Sequence, residues 1–93
     1  MLTLPSVLTH RASAAFVRSL AQAVQSQPGD LVADASALQQ FDSSALAVLL
    51  ECHRQALAAG KAFAVQGAPA RLRELASLYG VAELIPVAAA PGA

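Results

Sequence analysis

The chain has 93 residues, enough for one domain, and at that size roughly 60 to 65% of the unfolded chain's surface can be buried. Its side chains are 56% apolar but include only three Phe, one Tyr and no Trp, so the core must be built from Ala, Val and Leu, with ordinary or marginal stability expected. Six basic residues cancel six acidic ones, which removes the electrostatic footprint expected of a nucleic-acid or anionic-membrane binder.

The start, MLTLPSVLTHR, lacks a basic n-region and its apolar run is broken by Pro5, so it does not read as a secretory signal. A short edge strand is expected at residues 2–4 or 7–9. Over residues 12–25, Phe16, Val17, Leu20 and Val24 recur at helical spacing while Arg18, Gln22 and Gln25 face away, which describes an amphipathic helix that stops at SQPGD, residues 26–30. Residues 31–34 form an apolar run too short for a helix and suited to a buried strand, followed by a loop over residues 35–41.

Asp42 then has the acceptor an N-cap needs, placed just before an alanine- and leucine-rich run, with Ser43 as the first residue of a helix running to about Ala59. A hydroxyl at Ser43 sits in the partial positive field of that helix end, where a phosphate or an acidic partner group is best tolerated. Counting 100° per residue places Leu46, Leu49, Leu50, His53 and Leu57 inward. Ser44, Ala47, Val48, Glu51 and Gln55 are left on the other face. Apolar Ala47 and Val48 beside the serines predict a partner surface of Ser43, Ser44, Ala47, Val48 and Glu51, flanked by Asp42. Gly60 stops this helix, and residues 62–65 form the next strand, parallel to the previous one across a right-handed crossover. Pro69 opens a helix to Tyr79 with Leu72, Leu75, Ala76 and Tyr79 inward; Gly80 ends it, residues 81–87 form a short last element, and residues 88–93 read as a loose tail. The expected domain spans residues 1–87, an α/β fold with a small mixed sheet and three to four helices packed against it.

Residues outside this junction carry little chemistry. His53 lies ten residues beyond Ser43, nearly three turns or ~15 Å along a helix, so no catalytic triad closes there, and it reads as a partly buried, hydrogen-bonded histidine. Nothing pairs His10 with His53 as metal ligands, and no metal or cofactor is expected. Gly60-Lys61 runs from helix to strand and is followed by Ala62, the reverse of a P-loop. Cys52 reads as a small buried apolar side chain, and a lone cysteine suits a reducing compartment. No uncharged apolar stretch approaches the ~18 to 20 residues of a membrane span, so a soluble protein is expected, and the lone cysteine favours the cytosol.

The stretch FDSSALAVLLE, residues 41–51, resembles the central motif of STAS domains, the family of bacterial anti-sigma factor antagonists and of the cytoplasmic ends of sulfate transporters. The likeness continues through the strand AFAVQG and through PARLRELASLYGVAELI, covering about residues 30–85. Ala47, Val65-Gln66-Gly67 and the run LASLYG at residues 75–80, with only about ten residues before the first helix, are most similar to the small STAS subunit of Mla-type phospholipid ABC transporters. Ala45 stands where many members have glycine, and the Ser43-Ser44 pair resembles the antagonist motif. The resemblance implies a non-enzymatic STAS domain with one functional surface around Ser43. In the transporter subunit the matching position contacts the ATPase, which works with a membrane permease to maintain outer-membrane lipid asymmetry. In the alternative, an anti-sigma factor antagonist, the matching serine is phosphorylated by a partner anti-sigma kinase.

Overall fold

Parallel pairing of short strands organises the chain, and each strand is short because a turn residue or a helix follows within a few positions. The computed structural model describes residues 2–27 and 29–86. In order, these form β1 (Leu2–Thr3), β2 (Val7–Leu8), α1 (His10–Ser26), β3 (Leu31–Asp34), β4 (Gln40–Phe41), α2 (Ser44–Ala58), β5 (Phe63–Gln66), α3 (Ala70–Leu78) and a 3-10 turn at Ala82–Leu84. The strand order is β1-β3-β5, with Leu2 opposite Ala33 and Leu31 opposite Phe63, and a separate pair joins β2 to β4. Every pairing among the described residues is parallel, so the α/β domain is as expected but its sheet is not mixed. The end of the last expected element at Val87 and the tail at residues 88–93 lie outside the described residues.

Alternation explains the central strands. Leu31 and Ala33 of β3, and Phe63 and Val65 of β5, are buried while their neighbours are half-exposed, the pattern of strands with one well-covered face. The cover is α2, which also packs against α1 and α3. Its buried residues are Ala45, Leu46, Val48, Leu49, Cys52 and Ala56. This stripe differs from the one that the leucines alone suggest. Val48 is only 1% exposed, whereas Leu57 is 63% exposed. The physical reason is the second helix: α1 packs along the Val48 side of α2, so the apolar band of α2 is wider than a single helix-on-sheet contact requires. Two further inward assignments are corrected. Tyr79 falls just past the end of α3 and is 58% exposed, and Val17 of α1 stands at the mouth of a groove rather than in the core.

Turns and side-chain caps hold these elements in register. Lys61 Nζ donates to the carbonyls of Val24, at 2.8 Å, and of Gln27, so the Gly60-Lys61 turn closes the C-terminal end of α1. Gly67, with φ +68°, follows β5 where an added Cβ would come within 2.9 Å of Ser36 Cβ, and only glycine allows the loops after β3 and β5 to approach so closely. The segment 35–41 is more ordered than a free loop. Leu38 is buried, the Gln39 and Gln40 N–H groups donate to Ser6 O at 2.8 and 3.0 Å, and β4 pairs with β2. The N-terminal residues therefore fix the approach to Asp42.

Candidate functional site

Asp42 is the hinge of the site. Its Oδ1 accepts from Ser44 N at 2.8 Å and its Oδ2 from His10 N at 3.4 Å, so one carboxylate meets the first turns of both α2 and α1. The backbone and hydroxyl bonds from Ser44, with smaller help from His10, hold the Asp42 carboxyl below the usual carboxylate range. Helix α2 is bounded at Ser44 rather than Ser43, but Ser43 already has helical dihedrals, φ −61° and ψ −15°, and its carbonyl accepts from Leu46 N at 3.1 Å. The side chain that caps the helix is that of Asp42. Ser43 is exposed at this boundary and Ser44 half-buried.

From this point a groove of about 390 Å³ runs between α1 and α2, with His10, Ser13 and Val17 on one wall and Ser44, Ala47, Val48 and Glu51 on the other. Ala47 is exposed on its rim, and Val48 is not the outward residue that the helical count suggested. Glu51 lies at the far end with its carboxylate already engaged. Arg54 Nε approaches it at 2.9 Å and Arg54 Nη2 also contacts it, while Gln55 Nε2 donates at 3.2 Å. Those partners, Arg54 first, draw the Glu51 carboxyl down to about 2. The structure thus brings Ser44, Ala47, Val48 and Glu51 to one groove, with Asp42 and Ser43 at the mouth of α2. It also adds four α1 residues that pattern alone did not select for the site: His10, Ser13, Ala14 and Val17.

Ser13 is the least expected of these. It is buried on a helix and its Oγ has no hydrogen-bond partner. A serine three positions into an amphipathic helix carries no sequence signal for this, because the wall it faces comes from α2, more than thirty positions later.

The remaining candidates have structural occupations. His53 Nδ1 lies 2.7 Å from Leu84 O and its ring stacks on Phe63 with centroids 5.3 Å apart. Cys52 is fully buried, and burial, with a smaller contribution from the Glu51 charge, pushes its thiol up to about 12, so thiolate chemistry at neutral pH is suppressed. Among the described residues no group of three or more His, Cys, Asp or Glu side chains is gathered as a metal site, and no helix is long and apolar enough to cross a membrane.

Parallel β-α units lead here to a capped helix N-terminus with an exposed serine, an arrangement that agrees with the small STAS-type domain the sequence resembles. The family model described as "Mlab, STAS domain" matches residues 1–86, and the chain belongs to that family. No curated protein matches the chain.

Proposed function

We propose that this chain is a non-enzymatic cytoplasmic subunit that docks onto the ATPase of an Mla-type phospholipid ABC transporter, regulating or stabilising it at the inner face of the membrane beside the permease. The observation that carries this reading is the family match across residues 1–86. The geometry is compatible with docking: Ser43 is exposed at a rigidly capped helix start, and an apolar groove rimmed by Ala47 opens beside it. Three titratable side chains on or leading into α2 serve structural bonds: Asp42 is occupied by two backbone donors, Glu51 by Arg54, and His53 by Leu84 O.

The test is binding of the purified domain to the ATPase subunit of the host's phospholipid transporter. Ala47→Arg places a long cation on the rim and is expected to abolish co-purification while the thermal melt of the isolated domain stays unchanged. Full-yield co-purification of a normally folded Ala47→Arg variant would move the interface elsewhere.

Ser43 supports a second reading, an anti-sigma factor antagonist controlled by an anti-sigma kinase, because its hydroxyl is exposed next to the Asp42 carboxylate. Phosphorylation there would add a charge of about −1.5 to −2 beside an existing negative one, a strong local repulsion of the kind that releases a partner. Mass spectrometry on protein from the native host decides between them: stoichiometric phosphate at Ser43 favours the antagonist.

A further inference from the structure

We propose that Ser13 is the hydrogen-bond anchor of the α1–α2 groove. Its hydroxyl takes up a neutral acceptor, a backbone carbonyl or amide oxygen, brought in by an apolar segment of the docked ATPase. The inference rests on the docking proposed above and adds the chemistry of the segment that enters.

Ser13 is 7% exposed, lines the groove, and its Oγ is buried without a partner. Thr9 O accepts the Ser13 backbone N–H at 2.9 Å, and whereas the Ser19 and Ser26 hydroxyls of the same helix donate to Phe16 O and Ala23 O, both at 3.0 Å, the Ser13 hydroxyl makes no such bond to its own helix. Folded proteins pair nearly all such atoms, so a lone unpaired hydroxyl in the wall of an open groove marks a place where the partner supplies the bond. A serine side chain has three staggered χ1 positions through which its Oγ turns toward an incoming acceptor.

The acceptor's charge follows from the ends of the groove. Asp42 bridges the two helix starts at one end, and Glu51 lines the other. The positive ends of the two helices are therefore already answered by a carboxylate. A second anionic group at the helix starts would meet the Asp42 carboxylate, and at the other end it would find Arg54 already paired with Glu51, whereas a neutral carbonyl oxygen meets only the hydroxyl. The walls decide the rest of the segment. Val17 is 36% exposed, Val48 forms part of the lining, and Ala14 and Ala47 are small enough to let a partner backbone come close. An apolar stretch with one neutral acceptor is the complement of that surface.

The experiment is calorimetric titration of the purified ATPase subunit with the whole domain, alongside thermal melts. Ser13→Ala is expected to melt at or above the wild-type temperature, since no bond is lost in the free domain, yet to bind about three- to tenfold more weakly, the loss of one neutral hydrogen bond. Ser13→Cys keeps the size but loses the strong donor, and is expected to weaken binding similarly. The anchor is overturned if Ser13→Ala binds as tightly as wild type, if Ser13→Cys restores full affinity, or if Ser13→Ala melts clearly lower, which would show a partner within the fold. Ala47→Arg separates the two claims. If it abolishes binding while Ser13→Ala does not disturb it, the docking surface stands and the anchor falls; if it leaves binding intact, the docking surface falls as well. Self-association of the free domain that Ala47→Arg disrupts would assign the groove to a second copy and overturn the proposed occupant.

Discussion

The two ends of α2 are held by different physics. Its start is fastened by directional bonds: the Asp42 carboxylate reaches Ser44 N and His10 N, and the residues leading into it are tied to Ser6 O and to β2. Its last turns are held more loosely at the surface, with Arg54 reaching back to Glu51 and Leu57 standing 63% exposed. Between them, His53 leans on Phe63 and on the Leu84 carbonyl. A helix start fixed on two sides presents its first turn with little freedom left to lose on binding, which is the condition for a small docking surface to be effective. The far end is closed by backbone bonds of the Gly60-Lys61 turn, Lys61 N donating to Ala56 O at 2.8 Å, but its outer side chains carry little packing, and substitutions at exposed Leu57 should be absorbed.

The sharpest break of this comparison is in the seam that joins α1 to α2. Val48→Glu would place a carboxylate at a site 1% exposed, beside Ala47 and Val17 and near Glu51. A loss of about 3 kcal/mol or more is expected, enough to consume much of a small domain's stability, and urea denaturation of the isolated protein measures it. A variant that folds normally would mean that the groove floor opens to solvent and that α1 does not cover it.

Next in size is Asp42→Ala, which removes the shared cap. A drop of several degrees in Tm at neutral pH is expected, with faster amide exchange in the first turns of both helices rather than in α2 alone. The pH dependence has a definite sign. Because the folded-state pKa of Asp42 is lowered, its stabilisation is fully present above the ordinary carboxylate range near 3.9 and fades as pH falls through the lower native value. Wild type and Asp42→Ala should therefore converge in acid. A difference that persists unchanged to the most acid pH would remove the charged cap from the account.

The cap was legible in the sequence, and its reach was not. An aspartate ahead of an alanine- and leucine-rich run identifies a helix start by local chemistry alone, and the strands at residues 31–34 and about 62–65 follow from short apolar runs between turn residues. That Asp42 also meets α1 depends on bringing residues 32 positions apart into contact, which no local pattern encodes. Val48 and Leu57 were assigned to the wrong faces for a related reason. Helical counting gives angles around an axis but not which angles a second helix will cover, and the buried Ala45, Cys52 and Ala56 side chains are too small to weigh in a count of leucines. Ser13 could not be singled out because a serine's lack of a partner is a property of its neighbours.

A smaller effect is expected where α1 ends. Lys61 Nζ donates to the Val24 and Gln27 carbonyls, placing a cation at the negative end of that helix. Lys61→Met keeps most of the stem and removes the charge, so a loss of about 0.3 to 1 kcal/mol is expected, growing smaller in high salt. A salt-independent loss would assign the effect to packing of the stem.

The smallest expected effect is at Leu57, and it tests the looser end of α2 directly. Leu57→Glu puts a carboxylate one residue before the helix ends at Ala58, where the helix dipole is unfavourable to negative charge by a few tenths of a kcal/mol. Arg54, three residues earlier on the same helix, offsets part of that, with an exposed pair at this spacing worth about 0.2 to 0.5 kcal/mol. Leucine and glutamate have similar helix propensities, and the side chain removed is already 63% exposed, so little burial is lost. The terms nearly cancel, and the net change should stay within about 0.5 kcal/mol by urea denaturation. Leu57→Lys reverses both electrostatic terms: the dipole then favours the new charge, while Arg54 repels it. The two variants should therefore bracket wild type closely. A loss above 2 kcal/mol for either would place Leu57 in a packed contact, and the contrast between a fixed start and a tolerant end of α2 would collapse.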